Sequence, residues 1–87
     1  HLAGRGAMIT VQAKLFATLR EYRPGLGIGE AFPVDLPQDS TVADLIERLG
    51  LPQDEVKVVF VNFLVRELDF ALSDGDEIGI FPPVGGG

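Results

Sequence analysis

The amino-acid sequence predicts an α+β fold in which one main helix packs on one face of a mixed sheet of four or five strands. Several short segments alternate apolar and polar residues, as half-buried strands do. One segment instead repeats its apolar residues with the spacing of an amphipathic helix. A chain of 87 residues has room for one hydrophobic core of this kind, so we expect a single domain.

The first half of the chain predicts a hairpin of two strands. Residues 9–16 alternate cleanly between apolar and polar side chains. Residues 20–30 contain one proline and three glycines, which indicates a loop. Residues 31–36 alternate again, and Pro33 places this strand at an edge of the sheet, because proline has no amide hydrogen to donate to a neighbour.

The second half predicts the helix and the rest of the sheet. Apolar spacing places the helix at 42–49, with Thr41 as its N-cap and Asp44 as the second member of a capping box. Gly50 is a natural residue to end this helix. Three strands follow, at 57–61, around 65–66 and at 77–81.

Both ends of the chain stand apart from the predicted domain at 8–81. Residues 1–7 precede the single methionine, Met8, and are interpreted as the remnant of an expression tag. Residues 82–87 read Pro-Pro-Val-Gly-Gly-Gly and are predicted to form a flexible tail. No signal-peptide pattern follows Met8 and the sequence holds no cysteine, so a cytoplasmic location is expected.

The composition argues against most kinds of catalytic or metal site. The sequence has no cysteine, and its one histidine is His1. Disulfides, thiolate metal sites and a histidine general base are therefore not expected. With 7 basic and 13 acidic residues the net charge is −6, the wrong sign for binding nucleic acid or an anionic membrane. We expect no bound metal and no catalysis by the chain alone.

The three C-terminal glycines are the strongest functional signal. Without side chains, residues 85–87 can thread a narrow channel in another protein. The carboxylate of Gly87 is ionised at neutral pH and must be activated before a nucleophile attacks it, most simply as a mixed anhydride with AMP. An inert, frayed end is the alternative. The lead of Pro82 and Pro83, directly after a strand, favours the functional interpretation.

Two phenylalanines interrupt the alternation at the ends of their strands. Phe16 lies on the polar face of the first strand, and Phe81 points outward from the last. If these strands are parallel neighbours, the two rings form an exposed apolar patch of the kind that marks a protein interface. Burial under the loop at 20–30 is the alternative. Arg20 lies nearby and either pairs with an acidic group of a partner or is a solvated loop charge.

Several motifs resemble the MoaD/ThiS-type sulfur-carrier family, whose MoaD-type members are the small subunits of molybdopterin synthase. The most specific motifs lie in the second half of the chain, and the run Leu-Phe-Ala-Thr-Leu-Arg-Glu at 15–21 supports them. The specific motifs are Val61-Asn62, the run Leu-Ser-Asp-Gly-Asp-Glu-Ile at 72–78, Phe81-Pro82-Pro83-Val84, and Gly86-Gly87. The resemblance covers nearly all of 8–87.

The resemblance implies a β-grasp (ubiquitin-like) fold and a role as a sulfur carrier without a bound cofactor. An adenylating enzyme of the ubiquitin-activating type would use ATP to activate Gly87, and a sulfur donor would convert it to a thiocarboxylate. The tail would enter a molybdopterin synthase large subunit and deliver the sulfur for the molybdenum cofactor, with Gly85 and Gly86 in the channel. Phe16, Val65 and Phe81 are implied in the docking surface. The other residues assigned to partner binding are Arg20, Pro82, Pro83 and Val84.

A chain with these motifs has other possible functions. A carrier of the same type would serve thiamin synthesis, tungsten cofactor synthesis or tRNA thiolation. A ubiquitin-like modifier would instead join its terminal glycine to lysines of other proteins. The remaining alternative is a β-grasp binding module whose tail is idle.

Overall fold

A computed structural model describes residues 7–83 of the chain. These residues form one five-stranded sheet, one α-helix and two short 3₁₀ helices. The strands are β1 at Met8–Leu15, β2 at Phe32–Pro37, β3 at Val58–Val61, β4 at Leu64–Val65 and β5 at Glu77–Phe81. The α-helix, α1, spans Val42–Arg48. Within the described part of the chain, no helix is long and apolar enough to cross a membrane.

The sheet is mixed, as predicted, and its strands lie in the order β2-β1-β5-β3-β4. β1 and β2 form the predicted antiparallel hairpin. β2, which contains Pro33, lies at an edge of the sheet, as predicted. β1 and β5 run parallel at the centre, while β3 is antiparallel to both β5 and β4. The first and last strands of the sequence therefore lie side by side.

The start of α1 agrees with the prediction because Thr41 and Asp44 form a complete capping box. The Asp44 amide donates to Thr41 Oγ1 at 3.3 Å, and the Thr41 amide donates to Asp44 Oδ2 at 2.9 Å. The first of these bonds satisfies an amide that has no partner inside the helix. The helix ends at Arg48, one residue before the predicted end, and Gly50 then takes a φ of 75° that leaves the helical path.

The hydrophobic core lies between α1 and the inner face of the sheet. Val42, Leu45 and Ile46 of the helix are almost completely buried. They join the inward residues of β1, β3 and β5 in one cluster. The largest fully buried side chains of the described residues are Leu15, Leu19, Leu36, Leu45, Ile46, Ile78 and Ile80. A shift of one residue in the pairing of a strand would turn its buried side chains outward, so the core fixes the register of the strands. The same register determines which residues lie on the opposite, outer face of the sheet.

The predicted loop at 20–30 is wrong over its first three residues. Residues 20–22 are the end of a 3₁₀ helix at Ala17–Tyr22. Leu19 of this helix is completely buried, so the core holds the segment in place. A 3₁₀ helix of 6 residues is too short to leave a periodic pattern in the sequence.

All five strands begin and end within one residue of their predicted bounds, and β4 begins one residue earlier than predicted. A two-residue turn at Asn62 and Phe63 places Leu64 directly opposite Val61 of β3. Both turn residues have a positive φ, 51° and 73°, as the type I′ turn of a tight hairpin requires. The turn therefore decides where β4 begins.

Tyr22, the single tyrosine of the chain, connects its 3₁₀ helix to a second one at Gln53–Glu55. Its hydroxyl donates to Glu55 Oε1 at 2.9 Å, and this bond raises the pKa of the phenol above 10.0. The folded protein thus favours the neutral phenol. Any stability gained from the bond is present below the unfolded pKa and is lost as the pH rises through the raised pKa. We expect the tyrosinate absorbance band to grow in with a midpoint above pH 10.0.

The variant Glu55→Ala removes both the acceptor and its charge, so its absorbance midpoint should fall towards 10.0. The measurement is clean because the chain contains no tryptophan and no second tyrosine. Glu30→Ala is the matched control: the Glu30 carboxylate accepts from the Gly27 amide, and its loss should leave the midpoint unchanged. Equal midpoints in the wild type and Glu55→Ala would contradict the assignment.

Candidate functional site

Three aromatic rings lie together on the outer face of the sheet, opposite α1. Phe16 follows β1, Phe60 lies in β3 and Phe81 ends β5. The rings of Phe16 and Phe81 stack in parallel with centroids 4.3 Å apart, and Phe60 meets Phe81 edge to face at 5.5 Å. Both arrangements are favourable for aromatic pairs. We call these three residues the aromatic cluster.

The parallel pairing of β1 with β5 creates the aromatic cluster. Leu15 pairs with Ile80, so the next residues, Phe16 and Phe81, leave the same end of the sheet together. The Phe16 amide donates to the Ile80 carbonyl at 3.2 Å, which keeps the Phe16 backbone beside β5. The condition on which the predicted apolar patch depended, parallel neighbouring strands, is therefore met.

Gly79 lies beneath the stacked rings, and its missing side chain gives them room. It pairs with Lys14 on one side and with Phe60 on the other. A Cβ atom at position 79 would lie 3.3 Å from Phe16 Cε2 and 3.5 Å from Phe81 Cε1. Glycine weakens the interior of a strand and often marks a close approach to the backbone. Here the group that approaches is the Phe16–Phe81 stack.

Beside the aromatic cluster the outer face forms an open, mainly apolar concavity of about 280 Å³, which we call the groove. The groove is lined by Lys14, Phe16, Phe60, Phe63, Glu77, Ile78, Gly79 and Phe81. No residue of the loop at 20–30 is in this lining, and Phe16 and Phe81 are half-buried rather than covered by that loop. Over residues 7–83, no three side chains of metal-binding type come together to form a metal site. The groove is suited to binding an apolar surface.

Two exposed apolar residues of the β3–β4 hairpin, Phe63 and Val65, extend the apolar surface beside the groove. Phe63 and Val65 are 81% and 55% exposed. Leu64 is opposite the inward-facing Val61 and so lies on the other face of the sheet. Val65 pairs with Phe60, so the two side chains lie on the same face of the sheet. The three residues predicted to share a docking surface, Phe16, Val65 and Phe81, are thus brought to one face.

Arg20 does not line the groove. Its Nη2 donates to the Leu26 carbonyl at 3.3 Å, and its buried Nε has no hydrogen-bond partner among residues 7–83. Arg20 is therefore not the solvated loop charge that one interpretation expected, because it connects the 3₁₀ helix to the loop that follows. Its part in partner binding stays a prediction.

The chain leaves the sheet directly from the aromatic cluster. The Lys57 amide donates to the Phe81 carbonyl at 2.8 Å, so β5 is still paired at its last residue. Pro82 has no amide hydrogen with which to continue the ladder, and Pro83 is exposed. The other predicted tail residues, Val84, Gly85, Gly86 and Gly87, lie outside the described residues, as do positions 1–6 of the predicted tag remnant.

One asparagine holds the β3–β4 hairpin against the start of β5. The Asn62 Nδ2 donates to Asp76 Oδ1 at 2.9 Å, and the Glu77 amide donates to Asn62 Oδ1 at 3.0 Å. The Asn62 amide also donates to the Glu77 carbonyl at 2.8 Å. Two motifs that the sequence singled out, Val61-Asn62 and the acidic turn before β5, thus meet in space and fix the turn that carries Phe63.

Phe60, Phe63 and Gly79 were not assigned to the site from the sequence, although all three line the groove. The signal for Phe60 was present, because it alternates with two valines of β3 and so had to face away from the core. Phe63 follows an asparagine that favours a turn, which is a weak signal. Nothing marks Gly79 until β1 and β5 are known to be neighbours.

The substitution Gly79→Val tests the packing of the aromatic cluster. Its side chain would meet both stacked rings, and an overpacked site of this kind costs about 1–3 kcal/mol of unfolding free energy. Gly27→Val is the control: position 27 has no positive φ, and a Cβ there would meet only the flexible Glu30 side chain at 3.5 Å. Urea denaturation should show a loss at position 79 and little change at position 27. Equal effects would contradict the packing argument.

Comparison with known proteins places the chain among small carriers and modifiers. The model of the ThiS family matches residues 13–87. A Pyrococcus furiosus protein provisionally assigned as molybdopterin converting factor, subunit 1, is 30% identical, with a TM-score of 0.68 over 87% of this chain and 99% of that one. Small archaeal modifier protein 1 from Haloferax volcanii is also 30% identical, with the same TM-score and the same coverage. A ubiquitin from Caldiarchaeum subterraneum is 13% identical, with a TM-score of 0.58 over 93% of this chain and 100% of that one. This last likeness concerns the fold alone, and with the others it confirms the predicted β-grasp, ubiquitin-like fold.

Proposed function

The chain belongs to the ThiS family, as its motifs indicated, and from this membership we propose that it carries sulfur on Gly87 for the synthesis of molybdopterin. Family and fold together make it a sulfur carrier or a ubiquitin-like modifier. The likeness to the Pyrococcus furiosus protein, which is described as a molybdopterin converting factor subunit, favours molybdopterin as the destination of the sulfur.

In the first proposed step an adenylating enzyme activates the carboxylate of Gly87. One carboxylate oxygen attacks the α-phosphorus of ATP, pyrophosphate leaves, and the glycine becomes a mixed anhydride with AMP. Activation is needed because an ionised carboxylate is a poor electrophile. The step uses the main chain of the carrier and none of its side chains, which suits a sequence without cysteine and with one histidine, at position 1.

In the second step the sulfur of a donor, hydrogen sulfide in the simplest case, attacks the carbonyl carbon of Gly87. AMP leaves and the carboxyl group becomes a thiocarboxylate, so no oxidant or reductant is required. A large subunit then receives the tail, and the thiocarboxylate sulfur bonds to a carbon of the pterin precursor in place of an oxygen substituent. Water then cleaves the bond between this sulfur and the carbonyl carbon of Gly87, which returns the carboxylate. Gly85 and Gly86 suit this passage because they have no side chains to obstruct a narrow channel.

The position of the aromatic cluster beside the exit of the chain is the observation that carries the proposal. Phe81 ends β5 and Pro82 follows it directly, so a partner that covers the aromatic cluster also meets the tail. The three rings are half-buried, and aromatic residues that line an apolar concavity are typical anchors of protein interfaces. The geometry therefore supports docking through the outer face, with the C-terminal residues presented to the same partner.

Mass spectrometry of the intact chain tests the carrier role. After incubation with its adenylating enzyme, ATP and sulfide, the chain should gain the mass difference between sulfur and oxygen. The same mixture without ATP is the control and should give no gain. A chain that keeps its original mass in the complete mixture would overturn the proposal.

The destination of the sulfur needs a separate experiment in carrier-deficient strains. Restored molybdoenzyme activity is the result we expect. Restoration of thiamin synthesis alone, of a tungsten enzyme alone or of tRNA thiolation alone would assign the sulfur to that pathway instead. Each of these outcomes keeps the carrier role and changes only the acceptor.

Protein modification is the second candidate function, and the likeness to small archaeal modifier protein 1 favours it. The amine of a target lysine would attack the same mixed anhydride, and AMP would leave as an isopeptide bond forms. The chain has no lysine or arginine after Arg66, so trypsin would leave residues 67–87 attached to the target lysine. Peptides bearing this branch, found in proteins purified with the chain, would establish the modifier role.

A further inference from the structure

We propose that Phe63 is an anchor for the adenylating enzyme and that its ring enters an apolar pocket of that enzyme. The inference rests on the proposed function, in which sulfur transfer and protein modification share the same activation step. It adds a residue that the motifs of the sequence did not assign to any partner. Three properties of Phe63 carry it: its backbone conformation, its exposure and the hydrogen bonds that hold its turn.

The backbone of Phe63 is strained in a way that serves no purpose within the domain. Its φ is 73°, in the left-handed region where a bulky side chain is unfavourable. The second position of a type I′ turn is the usual place for glycine, as in Asn-Gly hairpins. This chain has Asn62-Phe63 there, so the phenylalanine costs stability that a glycine would not. Strain of this kind is often kept where function needs it.

Burial of the Phe63 side chain offsets little of this backbone strain, because the side chain is 81% exposed. It is the most exposed aromatic residue in the described part of the chain. The ring also stands at a wall of the groove that it shares with the aromatic cluster, and the exposed Val65 lies on the same face of the sheet. An exposed aromatic ring within a larger apolar surface is the usual form of an interface anchor.

Hydrogen bonds hold the turn that presents Phe63. The neighbouring Asn62 is bonded through its side chain and its backbone to Asp76 and Glu77. The backbone from which the ring extends therefore has a defined place beside the groove before any partner arrives. A preorganised anchor loses little freedom on binding, so more of its contact energy is available for affinity.

The charges around Phe63 indicate the chemistry of the pocket that receives it. Asp76 and Glu77 lie directly behind the turn, and Glu77 also lines the groove. The whole chain carries a net charge of −6. We therefore infer a pocket with apolar walls and a lysine or arginine at its rim, since such a rim complements these carboxylates. We assign this pocket to the adenylating enzyme because both proposed uses of Gly87, sulfur transfer and protein modification, begin with adenylation.

The test is ATP–pyrophosphate exchange by the adenylating enzyme, with the full-length chain as the varied substrate. In Phe63→Gly we expect the KM for the chain to rise about tenfold or more, with kcat little changed, as for the loss of an interface anchor. The same variant should unfold at an equal or higher temperature, because glycine relieves the strained φ. Phe63→Tyr keeps the ring and should retain the KM of the wild type. Ile28→Ala is the control, since Ile28 is 83% exposed but does not line the groove.

The outcomes separate this inference from the function on which it rests. A wild-type chain that supports no exchange would overturn both. If the wild type supports exchange and Phe63→Gly has a KM within twofold of it, only the anchor is overturned. A Phe63→Gly variant that unfolds at a clearly lower temperature would assign Phe63 a structural role and would also overturn the anchor. A raised KM at equal or higher thermal stability, with Ile28→Ala unchanged, is the result that supports it.

Discussion

Deletion of Gly86 and Gly87 is expected to abolish formation of the thiocarboxylate completely while the domain stays folded. The deletion moves the C-terminal carboxylate back to Gly85, so the tail is two residues too short to bring that carboxylate to the position at which the adenylating enzyme would activate it. The hydrophobic core of residues 7–83 runs from Ile9 to Ile80, and the two deleted glycines have no side chains to contribute to a core. Intact-mass measurement after incubation with enzyme, ATP and sulfide checks the first expectation, and circular dichroism checks the second.

Gly85→Ala is the matched control for this deletion. It keeps the length of the tail and the carboxylate of Gly87 and adds a single methyl group, so we expect sulfur loading to be slowed at most and not abolished. Sulfur loading of the shortened chain would contradict the assignment of the carrier atom to Gly87. If the shortened chain loses loading but still supports every activity of the wild type in cells, the tail is idle and the chain acts as a binding module.

Leu45→Ala is expected to cost about 2–5 kcal/mol of unfolding free energy. Leu45 is completely buried on the inner side of α1, where the surrounding strands cannot close the cavity that a shorter side chain leaves. Domains commonly have about 5–15 kcal/mol of stability in total, and one of this size is near the lower end. The variant should therefore be partly unfolded at moderate temperature, which thermal and urea denaturation will measure.

Leu68→Ala makes the same chemical change at a side chain that is 40% exposed. We expect a loss of under about 1 kcal/mol there, as is usual for surface positions. The difference between the two variants measures burial alone, because the side chains removed are identical. Similar losses at both positions would show that α1 does not pack as described.

The secondary structure was largely predictable because its causes lie close together in the sequence. The capping box of α1 needs only Thr41 and Asp44, which are neighbours on the first turn. The buried face of β1 follows from alternation within 8 residues. The 3₁₀ helix at Ala17–Tyr22 was missed because its position depends on burial of Leu19, a contact that involves distant parts of the chain.

The candidate site was predictable only in part. Phe16 and Phe81 were identified because each interrupts the alternation of apolar and polar residues in its own strand. The alternation did not distinguish between burial under the loop at 20–30 and exposure in an apolar patch. The parallel pairing of β1 with β5 brought the two rings together, and no residue of the loop at 20–30 lines the groove beside them. Phe60 carried a readable signal, whereas Gly79 owes its importance to a stacked pair that forms across two strands.

Patterns within the sequence were enough to predict the α+β class, the buried face of each element and the glycine end on which the proposed chemistry depends. These properties follow from the local periods of helix and strand and from the absence of side chains, and they need no knowledge of the fold. The tertiary structure was needed to show that β1 and β5 lie side by side and that the rings of Phe16 and Phe81 stack over Gly79. It also decided that the strained Phe63 stands at the wall of the groove. Contacts between distant segments depend on which strands pair and in which register, and the core as a whole sets that pairing.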